Sequence, residues 1–233
     1  MIFTLFFIRF FDIFLSFFAI VFLLPFMLPI ILVLKLTGEH YIFYRQKRVG
    51  RHGNEFYLLK FATMLKDSPN MPGGYFTQKN DPRMLSIGKF LRKTKINELP
   101  QLINILIGQM SIIGYRPLVE IQYKHYTQDV KQILFYMRPG LSSISSIIFR
   151  NEEEIFQKIE SGENICDRIK FYCETIIPYK GELECYYAKN YSVWNYFKLI
   201  IMTVISVLQP KSYFWKRAFK NLPEMPKELA SYF

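Results

Sequence analysis

The sequence predicts an α/β fold that is mostly helical, organised as a single membrane-associated domain with a short β-hairpin and amphipathic helices. Three observations support this prediction. An apolar block without a charged residue covers residues 13–34. Two strand-like segments follow it, and helical periodicity interrupted by glycine and proline fills most of the remaining chain. We place a membrane segment at residues 1–36, a main domain at 37–208 and a basic, aromatic tail at 209–233.

Composition narrows the class of partner. Of the 233 residues, 51% are hydrophobic, and 23 Phe with 16 Tyr is an aromatic content that favours membrane contact. The formal net charge of +11 predicts an anionic partner, which leaves nucleic acid, anionic lipid or a phosphorylated substrate. Because no recognised nucleic-acid motif is present, we expect no nucleic-acid partner. The three cysteines lack CxxC spacing and the three histidines are scattered, which predicts reduced thiols and no histidine or cysteine metal site.

The apolar block is long enough to cross a bilayer, for which about 20 residues suffice. A cleaved signal peptide fits poorly, because no basic segment precedes the block and no small-residue cleavage site follows it. Pro25 and Pro29 predict a kink, since each removes a backbone donor and clashes with the preceding turn. These residues leave two alternatives, a kinked spanning helix and a re-entrant helix. Basic residues on both flanks, Arg9 before and Lys35 after, weakly favour two cytoplasmic ends.

The segment after the block predicts a β-hairpin. Residues 41–46 and 55–61 form the two predicted strands, joined by VGRHGN, whose glycines suit a tight turn. Lys60 stands near the end of the second strand. Residues 66–80 contain two prolines and two glycines, which predicts a loop. This loop is either mobile and close to a site or a plain surface connection.

The stretch at residues 81–118 concentrates the candidate chemistry. Basic side chains precede the segment that opens its apolar run, at Arg83, Lys89, Arg92, Lys93 and Lys95. Asn97 suits an N-cap, Glu98 and Pro100 suit a first turn and Gly108 suits a stop, so a helix is predicted between Asn97 and Gly108. A helix N-terminus flanked by cations binds anions, which predicts a phosphate ligand. The alternative is a well-capped core helix whose preceding basic side chains are exposed to solvent and bind no ligand.

The remaining chain predicts mostly helix. Residues 119–137 form one predicted helix, stopped by the Arg-Pro-Gly at 138–140. The serine-rich residues 142–147 are either a strand or a polar loop. Helical periodicity covers residues 151–177, with a break near Ser161 and Gly162. Residues 196–208 are apolar but short for a span, which favours an interfacial helix. The tail from Lys211 mixes aromatic and basic residues as interfacial segments do, the alternative being a disordered basic terminus.

Several motifs occur in order between Arg9 and Leu208. They are RFFDIFLS, the mid-block proline Pro25, YRQKRVGRHGNEFYLLKFATM, DPRMLSIGKFLRKTKINELPQLINILIGQMSIIGYRPL, RPG, and, more weakly, IIPYKGELECYYAKNYSVWNYFKLIIMTVISVL. In these motifs the chain resembles the bacterial sugar transferase family. That family comprises the monotopic polyprenyl-phosphate phosphoglycosyl transferases, which initiate capsule, O-antigen and glycoprotein glycan synthesis.

The resemblance implies a monotopic fold in which a helix-break-helix around Pro25 enters and leaves through the cytoplasmic leaflet of the bacterial inner membrane. Residues 37–208 would then be a cytosolic catalytic domain with interfacial helices. The implied reaction transfers a sugar phosphate from a UDP-sugar to undecaprenyl phosphate and releases UMP, as the first membrane step of surface polysaccharide synthesis. In the family a carboxylate attacks the β-phosphate, and Mg²⁺ assists. This agrees with the basic residues here, because an anionic nucleophile needs the phosphate charge masked.

The family's motif positions imply specific roles in this chain. Glu98 and Asn97 occupy the catalytic pair, and Glu98 is the implied Mg²⁺ ligand. Substrate-phosphate contacts are expected from Lys60, Arg83, Arg92 and Arg116. A homodimer is an open alternative for the assembly.

Several motif positions depart from the family pattern. The usual Asp-Glu pair is Asn97-Glu98 here, and the aspartate is the family's nucleophile, whereas a carboxamide is a poor one. The serine before the mid-block proline is replaced by Leu24. KFRTM is KFATM, with Ala62 in place of arginine, and GPRP is GYRP, with Tyr115. The glycine-threonine-glycine region after RPG reads LSSISSIIF.

Three functions follow from these departures. The first is an active transferase in which Glu98 is the nucleophile, or in which Glu98 holds magnesium while the polyprenyl phosphate attacks directly. The second is a catalytically impaired paralogue that binds nucleotide-sugar or a partner transferase. The third, suggested by charge alone, is a membrane-anchored nucleic-acid binder. We favour the first.

Overall fold

A computed structural model describes residues 2–72, 74, 81–152, 155, 169–209, 213–230 and 232. Backbone contacts divide the chain into two compact units. Unit 1 contains residues 1–10, 48–56 and 109–233, and unit 2 contains residues 11–47 and 57–108. These units cut across the predicted segments. The described residues are mostly helical with two short two-stranded sheets, in agreement with the predicted class.

Helix α1 runs from Ile2 to Leu36, so it ends where the membrane segment was predicted to end. Pro25 and Pro29 both lie inside it, and the helix continues through them. Among the described residues it is the helix that is long and apolar enough to cross a membrane. Many of its aromatic side chains are exposed, as shown by Phe3 at 80% and Phe22 at 72%. The re-entrant path stays a prediction.

The predicted β-hairpin is confirmed. Strand β1 covers Phe43–Val49, slightly later than predicted, and strand β2 covers Glu55–Phe61, as predicted. The two strands form a two-stranded sheet, and a short 3₁₀ turn at Arg51–Gly53 connects them. In unit 2, the stacked rings of Phe43 and Phe61, with centroids 5.7 Å apart, join the open ends of the strands.

The core of unit 2 packs apolar residues between 85 and 99 against Phe61 of β2 and against α1. Helix α2 covers Gly88–Lys93, a 3₁₀ turn covers Ile96–Glu98, and helix α3 covers Gln101–Leu106. Apolar side chains of α2, of the 3₁₀ turn and of their flanking residues pack with Phe61 of β2 in one cluster that also includes the second half of α1. The members of this cluster are Leu23, Met27, Ile30, Ile31, Leu34, Ile42, Phe61, Leu85, Ile87, Leu91, Ile96 and Leu99. Burial of these side chains is the main stabilising term for the unit.

Two short parallel strands organise unit 1. Strand β3 covers Ser111–Ile113 and strand β4 covers Gly140–Ser142, with Ser111 opposite Gly140. The backbones approach so closely that a Cβ on Gly140 would lie 2.1 Å from the Gly114 nitrogen. Glycine is therefore required here. The Arg-Pro-Gly that was predicted to stop a helix thus also starts a strand.

The predicted helix at 119–137 is two helices, so that prediction was wrong in its continuity. Helix α4 covers Glu120–Tyr123 and helix α5 covers Gln128–Leu134. Thr127 begins the second helix, because its side chain accepts a hydrogen bond from the Val130 amide. The serine-rich segment also differs from both expectations. After β4, Ser143 caps helix α6, Ile144–Ile148, through the Ser146 amide.

The last part of unit 1 is helical. A π-helical turn at Tyr172–Ile176 leads into helix α7, Ile177–Lys189, which helix α8 follows at Val193–Leu208. Short helices α9, Trp215–Ala218, and α10, Lys227–Ala230, lie in the predicted tail. The predicted break near Ser161 and Gly162, as well as Lys211 and Cys166, lies outside the described residues. The other two cysteines, Cys173 and Cys185, are free and buried, as expected.

Candidate active site

The central contact of the candidate site joins Lys60 and Glu98. Lys60 lies on β2, and its Nζ is 3.8 Å from Glu98 Oε1. Each side chain is 17% exposed, so the pair is shielded but still reachable from solvent. A half-buried ion pair has its charges weakened less by water than a surface pair. The structure therefore brings two of the predicted site residues together.

Asn104 fixes the strand that carries this lysine. The Leu59 amide donates to Asn104 Oδ1 at 3.0 Å, and Asn104 Nδ2 donates to the Tyr57 carbonyl at 2.8 Å. One buried amide side chain of α3 thus satisfies two backbone groups of β2. The sequence does not predict this role, because an asparagine inside an apolar helix gives no signal for its partner.

Asn97 is not the N-cap of a helix, and that prediction was wrong. It lies inside the 3₁₀ turn, preceded by Lys95 in the left-handed region at φ 60°, and α3 begins only after Pro100. With six residues, α3 is too short to supply the anion-binding N-terminus that was expected. Asn97 is 7% exposed, and its Oδ1 accepts no hydrogen bond from the part of the chain that the structure describes.

Gln101, four residues after Asn97, is a second buried amide side chain. It is fully buried, and within the described residues neither its Oε1 nor its Nε2 has a hydrogen-bond partner. Buried amide groups without partners destabilise a fold by roughly 1–3 kcal/mol each. The residues around Glu98 therefore carry polar groups that the fold leaves unsatisfied, which is typical of functional sites.

Arg92 lies on α2 and approaches the segment that follows β2. Its Nε donates to Thr63 Oγ1 at 3.2 Å, and its Nη2 contacts the sulfur of Met64 at 3.4 Å. The residue is half-buried. Gly88 permits this arrangement, because a Cβ there would lie 2.1 Å from the Thr63 carbonyl oxygen. Arg92 thus belongs to the same unit as Lys60 and Glu98.

Arg83 is engaged by protein groups. Its Nε donates to Asp81 Oδ1 at 2.8 Å and its Nη2 to Asp81 Oδ2 at 2.5 Å, while Nη1 donates to the carbonyls of Ser68 and Gly74 at 2.8 Å each. The side chain is 2% exposed. Its hydrogen bond to Asp81 raises the pKa of Arg83. Arg83 therefore braces the preceding segment at Ser68 and Gly74, and its expected phosphate contact stays a prediction.

Arg116 belongs to unit 1. It follows β3, where Tyr115 is bridged to Pro139 in parallel fashion. The Arg116 amide donates to Glu184 Oε1 at 3.4 Å, and its Nη1 donates to the Leu141 carbonyl at 3.4 Å. The side chain is half-buried. The sequence does not predict a role for Glu184, since one acidic residue in a helix carries no signal of burial.

A magnesium ion needs oxygen ligands, and it is typically held by one or two carboxylates together with substrate phosphates and water. Among the described residues, no group of three or more His, Cys, Asp or Glu side chains could hold a metal ion. Glu98 offers one carboxylate, and the adjacent Asn97 Oδ1 is an unsatisfied carbonyl oxygen. This donor set fits an ion that takes its other ligands from the substrate.

A family model for bacterial sugar transferases matches residues 3–210. The match includes both units and every candidate residue described above. It therefore covers well over half of the chain.

Curated relatives agree with this match. An undecaprenyl-phosphate galactose phosphotransferase of Salmonella typhimurium is 31% identical over 180 residues, 71% of this chain and 33% of the relative. The galactosyl transferase CpsE of Streptococcus agalactiae is 33% identical over 175 residues, 71% of this chain and 34% of the relative. The exopolysaccharide production protein ExoY of Rhizobium meliloti is 30% identical over 164 residues, 64% of this chain and 71% of the relative.

This chain thus spans about a third of the length of the first two of these relatives and most of the length of the third. The motifs, the Lys60–Glu98 pair and the family match over residues 3–210 lead to one conclusion. The chain belongs to the bacterial sugar transferase family.

Proposed function

We propose that this protein transfers a sugar phosphate from a UDP-sugar to undecaprenyl phosphate, giving a polyprenyl-diphosphate sugar and UMP. The pairing of Lys60 with Glu98 at 3.8 Å, inside the region matched by the family model, carries this proposal. The names of three relatives support it. One is an undecaprenyl-phosphate galactose phosphotransferase, and two are UDP-glucose:undecaprenyl-phosphate glucose-1-phosphate transferases.

The charges of the site suit a diphosphate. Lys60 and Arg92 are cationic side chains in one unit, and both are half-buried. Cations placed at a transferring phosphate stabilise the charge that develops in the transition state. Arg92 is suited to contact two phosphate oxygens at once, and Lys60 acts as a point charge.

Glu98 has two candidate roles, because Asn97 replaces the family's usual nucleophile. As nucleophile, its carboxylate would attack the β-phosphorus, break the bond to the bridging oxygen and release UMP, leaving a sugar phosphate on the enzyme. In the direct route, an oxygen of undecaprenyl phosphate attacks the β-phosphorus and UMP leaves in the same step. Glu98 and Asn97 Oδ1 would then hold Mg²⁺, which masks the negative charge of both phosphates.

We favour the direct route. Glu98 lies within ion-pairing distance of Lys60, and this cation lowers the nucleophilicity of the carboxylate. The same position beside a cation and an unsatisfied amide oxygen suits a residue that binds and orients the diphosphate. Asn97 is neutral, so it adds no repulsion to an approaching lipid phosphate.

The membrane assignment rests on exposed apolar side chains in both units. Phe18, Phe22 and Phe26 are exposed on α1. On α8, an exposed stripe of Trp194, Ile201, Val204 and Leu208 lies opposite the buried Leu199 and Met202. Such exposed apolar surfaces mark contact with lipid or protein. We propose that they hold the protein at the cytoplasmic leaflet of the bacterial inner membrane, where α1 re-enters near Pro25.

The alternative is a catalytically impaired paralogue. The replacement of the nucleophilic aspartate by Asn97 favours it. Such a protein would retain nucleotide-sugar binding or would bind an active transferase, and a homodimer would be one form of this association.

UMP release by the purified protein in detergent separates these functions. The assay uses a panel of UDP-sugars, with and without undecaprenyl phosphate and Mg²⁺. We expect UMP only when both the lipid phosphate and Mg²⁺ are present. Release without lipid would indicate a covalent intermediate on Glu98. No release with any sugar, together with UDP-sugar binding, would establish the impaired paralogue.

A further inference from the structure

The last part of unit 1 carries a long stretch of sequence with charges of one sign. Residues 185–223 contain no Asp or Glu, and they contain six basic residues, Lys189, Lys198, Lys211, Lys216, Arg217 and Lys220. This stretch therefore supplies six of the eleven positive charges in the formal net charge of the chain. The proposed reaction uses none of these side chains. A segment of this kind predicts an anionic partner of its own.

The tail is folded onto the rest of unit 1 through aromatic side chains. Trp215 and Phe219, four residues apart, are only 6% and 8% exposed. Tyr186 on α7 donates from its hydroxyl to the backbone carbonyl of Lys220 at 2.7 Å. These contacts bury two rings and use one backbone carbonyl, so they do not depend on the charged ends of the basic side chains.

The basic side chains of the tail are on the outside of this packing. Lys216, Arg217 and Lys220 are all exposed. The Lys216 Nζ lies 4.9 Å from the ring centroid of Tyr213, which is itself 49% exposed. We refer to these four residues as the basic tail surface. It combines cations with an exposed aromatic ring, as segments at a membrane interface do.

Lys198 joins the tail to the exposed apolar stripe of α8. Its Nζ donates to the Ala218 carbonyl and lies 4.9 Å from the ring centroid of Phe219. Lys198 follows Trp194 by four residues and precedes Ile201 by three, and such spacings place side chains on one face of a helix. Trp194 and Ile201 are 79% and 59% exposed. The tail therefore meets α8 at the edge of the apolar stripe.

An exposed apolar stripe bordered by cations suits the two layers of an anionic membrane surface. Apolar side chains enter the acyl region, while lysine and arginine side chains bind the phosphate groups above it. An isolated group of exposed lysines is ordinarily solvated. Here the contact of Lys198 with the tail brings the cations next to the apolar side chains, which favours lipid as the partner.

We propose that the basic tail surface binds the headgroups of anionic phospholipids beside the α8 stripe. This inference rests on the proposed contact of α8 with the membrane. Each basic residue close to an anionic membrane increases binding by about fivefold. Three exposed cations in the tail are therefore sufficient to enrich anionic lipids next to α8.

The intrinsic fluorescence of the protein can test this proposal. The two tryptophans of the chain, Trp194 and Trp215, lie in α8 and in the tail. The full chain is reconstituted into vesicles of equal parts phosphatidylcholine and phosphatidylglycerol, with quenching bromine atoms on the acyl chains of one lipid or the other. We expect brominated phosphatidylglycerol to quench at least about threefold more than brominated phosphatidylcholine. High salt should reduce this preference, because ions screen the attraction.

A variant of the tail identifies the side chains responsible. Lys216→Gln, Arg217→Gln and Lys220→Gln in one protein should make the two lipids quench equally. These side chains are exposed, so the burial of Trp215 and Phe219 is retained. Lys216→Arg with Lys220→Arg conserves the charge and should retain the preference.

The matched control removes three exposed lysines outside the tail, through Lys66→Gln, Lys124→Gln and Lys170→Gln. It lowers the net charge by the same amount and should retain the preference. An equal loss in this control would overturn the proposal, because net charge would then attract the lipid. Equal quenching by both lipids in the unmodified protein would also overturn it. If neither lipid quenched, the proposed membrane contact of α8 would be wrong, and this inference with it.

Discussion

Lys60 Nζ and Glu98 Oε1 lie 3.8 Å apart, although 38 residues separate them in the sequence, and both side chains are largely shielded from solvent. Asn104 secures the strand that carries the lysine, and Ile96 and Leu99 pack the turn that carries the glutamate against Phe61. The fold thus holds one positive and one negative group close together on rigid elements. Pre-organised charges of this kind are what phosphate transfer requires.

Glu98→Gln should reduce UMP release by at least about 100-fold, because the amide neither attacks phosphorus nor holds Mg²⁺ as a carboxylate does. The measurement is turnover with UDP-sugar and undecaprenyl phosphate. Glu120→Gln is the control, since Glu120 is an exposed glutamate that pairs with Lys124 on the surface. Unchanged turnover in the Glu98 variant would remove this residue from the mechanism.

Asn97→Asp should restore the family's catalytic pair. We expect it to release UMP in the absence of lipid, at least about tenfold faster than the unmodified protein, because an ionised carboxylate is a far better nucleophile than an amide. Intact-protein mass spectrometry after incubation with UDP-sugar should show an added sugar phosphate. A variant with no gain and no adduct would show that the site has been rebuilt around a route without a covalent step.

Arg83→Ala should destabilise the protein by about 3 kcal/mol, since it removes the guanidinium that pairs with the buried Asp81 carboxylate. Arg83→Lys should also be destabilising, because a lysine cannot reproduce the two-pronged contact. Thermal unfolding checks both variants against Lys89→Ala, which removes an exposed cation. A fully stable Arg83→Ala protein that no longer binds UDP would instead give Arg83 the phosphate contact that the sequence predicted.

Glu184 should make stability depend on pH between about 4.5 and 7. Burial, opposed by hydrogen bonds from serines and the Arg116 amide and by Lys180, raises its pKa from 4.5 to about 7. The folded protein therefore binds a proton in this range that the unfolded chain has released, so stability falls as pH rises from 4.5 to 7 and then levels off. The expected loss of stability across this range is on the order of 3 kcal/mol. Charged and titratable groups that interact with this carboxyl include Arg116, Lys180, Tyr115, Tyr126 and Cys185.

Thermal unfolding as a function of pH measures this effect. Glu184→Gln should remove the decline between about pH 4.5 and 7. Glu152 does not cause this decline, because its pKa is lowered below the usual value and its contribution to stability is lost only at more acidic pH. An unchanged pH profile in the glutamine variant would show that another group causes the decline.

Membrane attachment is best tested with charges on the exposed face of α1. Deleting α1 would also remove Met27 and Leu34 from the core of unit 2, so loss of attachment and unfolding could not be separated. Phe18→Lys with Phe22→Lys adds charge at side chains that are 54% and 72% exposed. We expect this double variant to move from the membrane to the soluble fraction, whereas Gln128→Lys, an exposed site on α5, should not. Retention of the double variant would assign attachment to α8 or the tail.

The sequence alone determined the elements whose signal is local. The β2 boundaries were predicted from alternation and turn glycines, and the long helix to Leu36 was predicted from its unbroken apolar character. Motif order also predicted the family, because such motifs combine several fixed spacings. These features depend on residues close together in the chain, whose preferences can be read without knowing their distant neighbours.

Tertiary structure decided what depends on distant partners. The sequence around Asn97 predicts an N-cap. In the structure, Ile96 and Leu99 pack into the cluster that contains Phe61, Ile96–Glu98 forms a 3₁₀ turn, and α3 starts at Gln101. Arg83 reads as one basic residue among several, yet Asp81 and two carbonyls take up its donors. Glu184 carries no local signal at all. Burial and hydrogen-bond partners arise only when separate segments meet, so only the folded chain could show that one arginine braces a loop and another is held by a buried carboxyl.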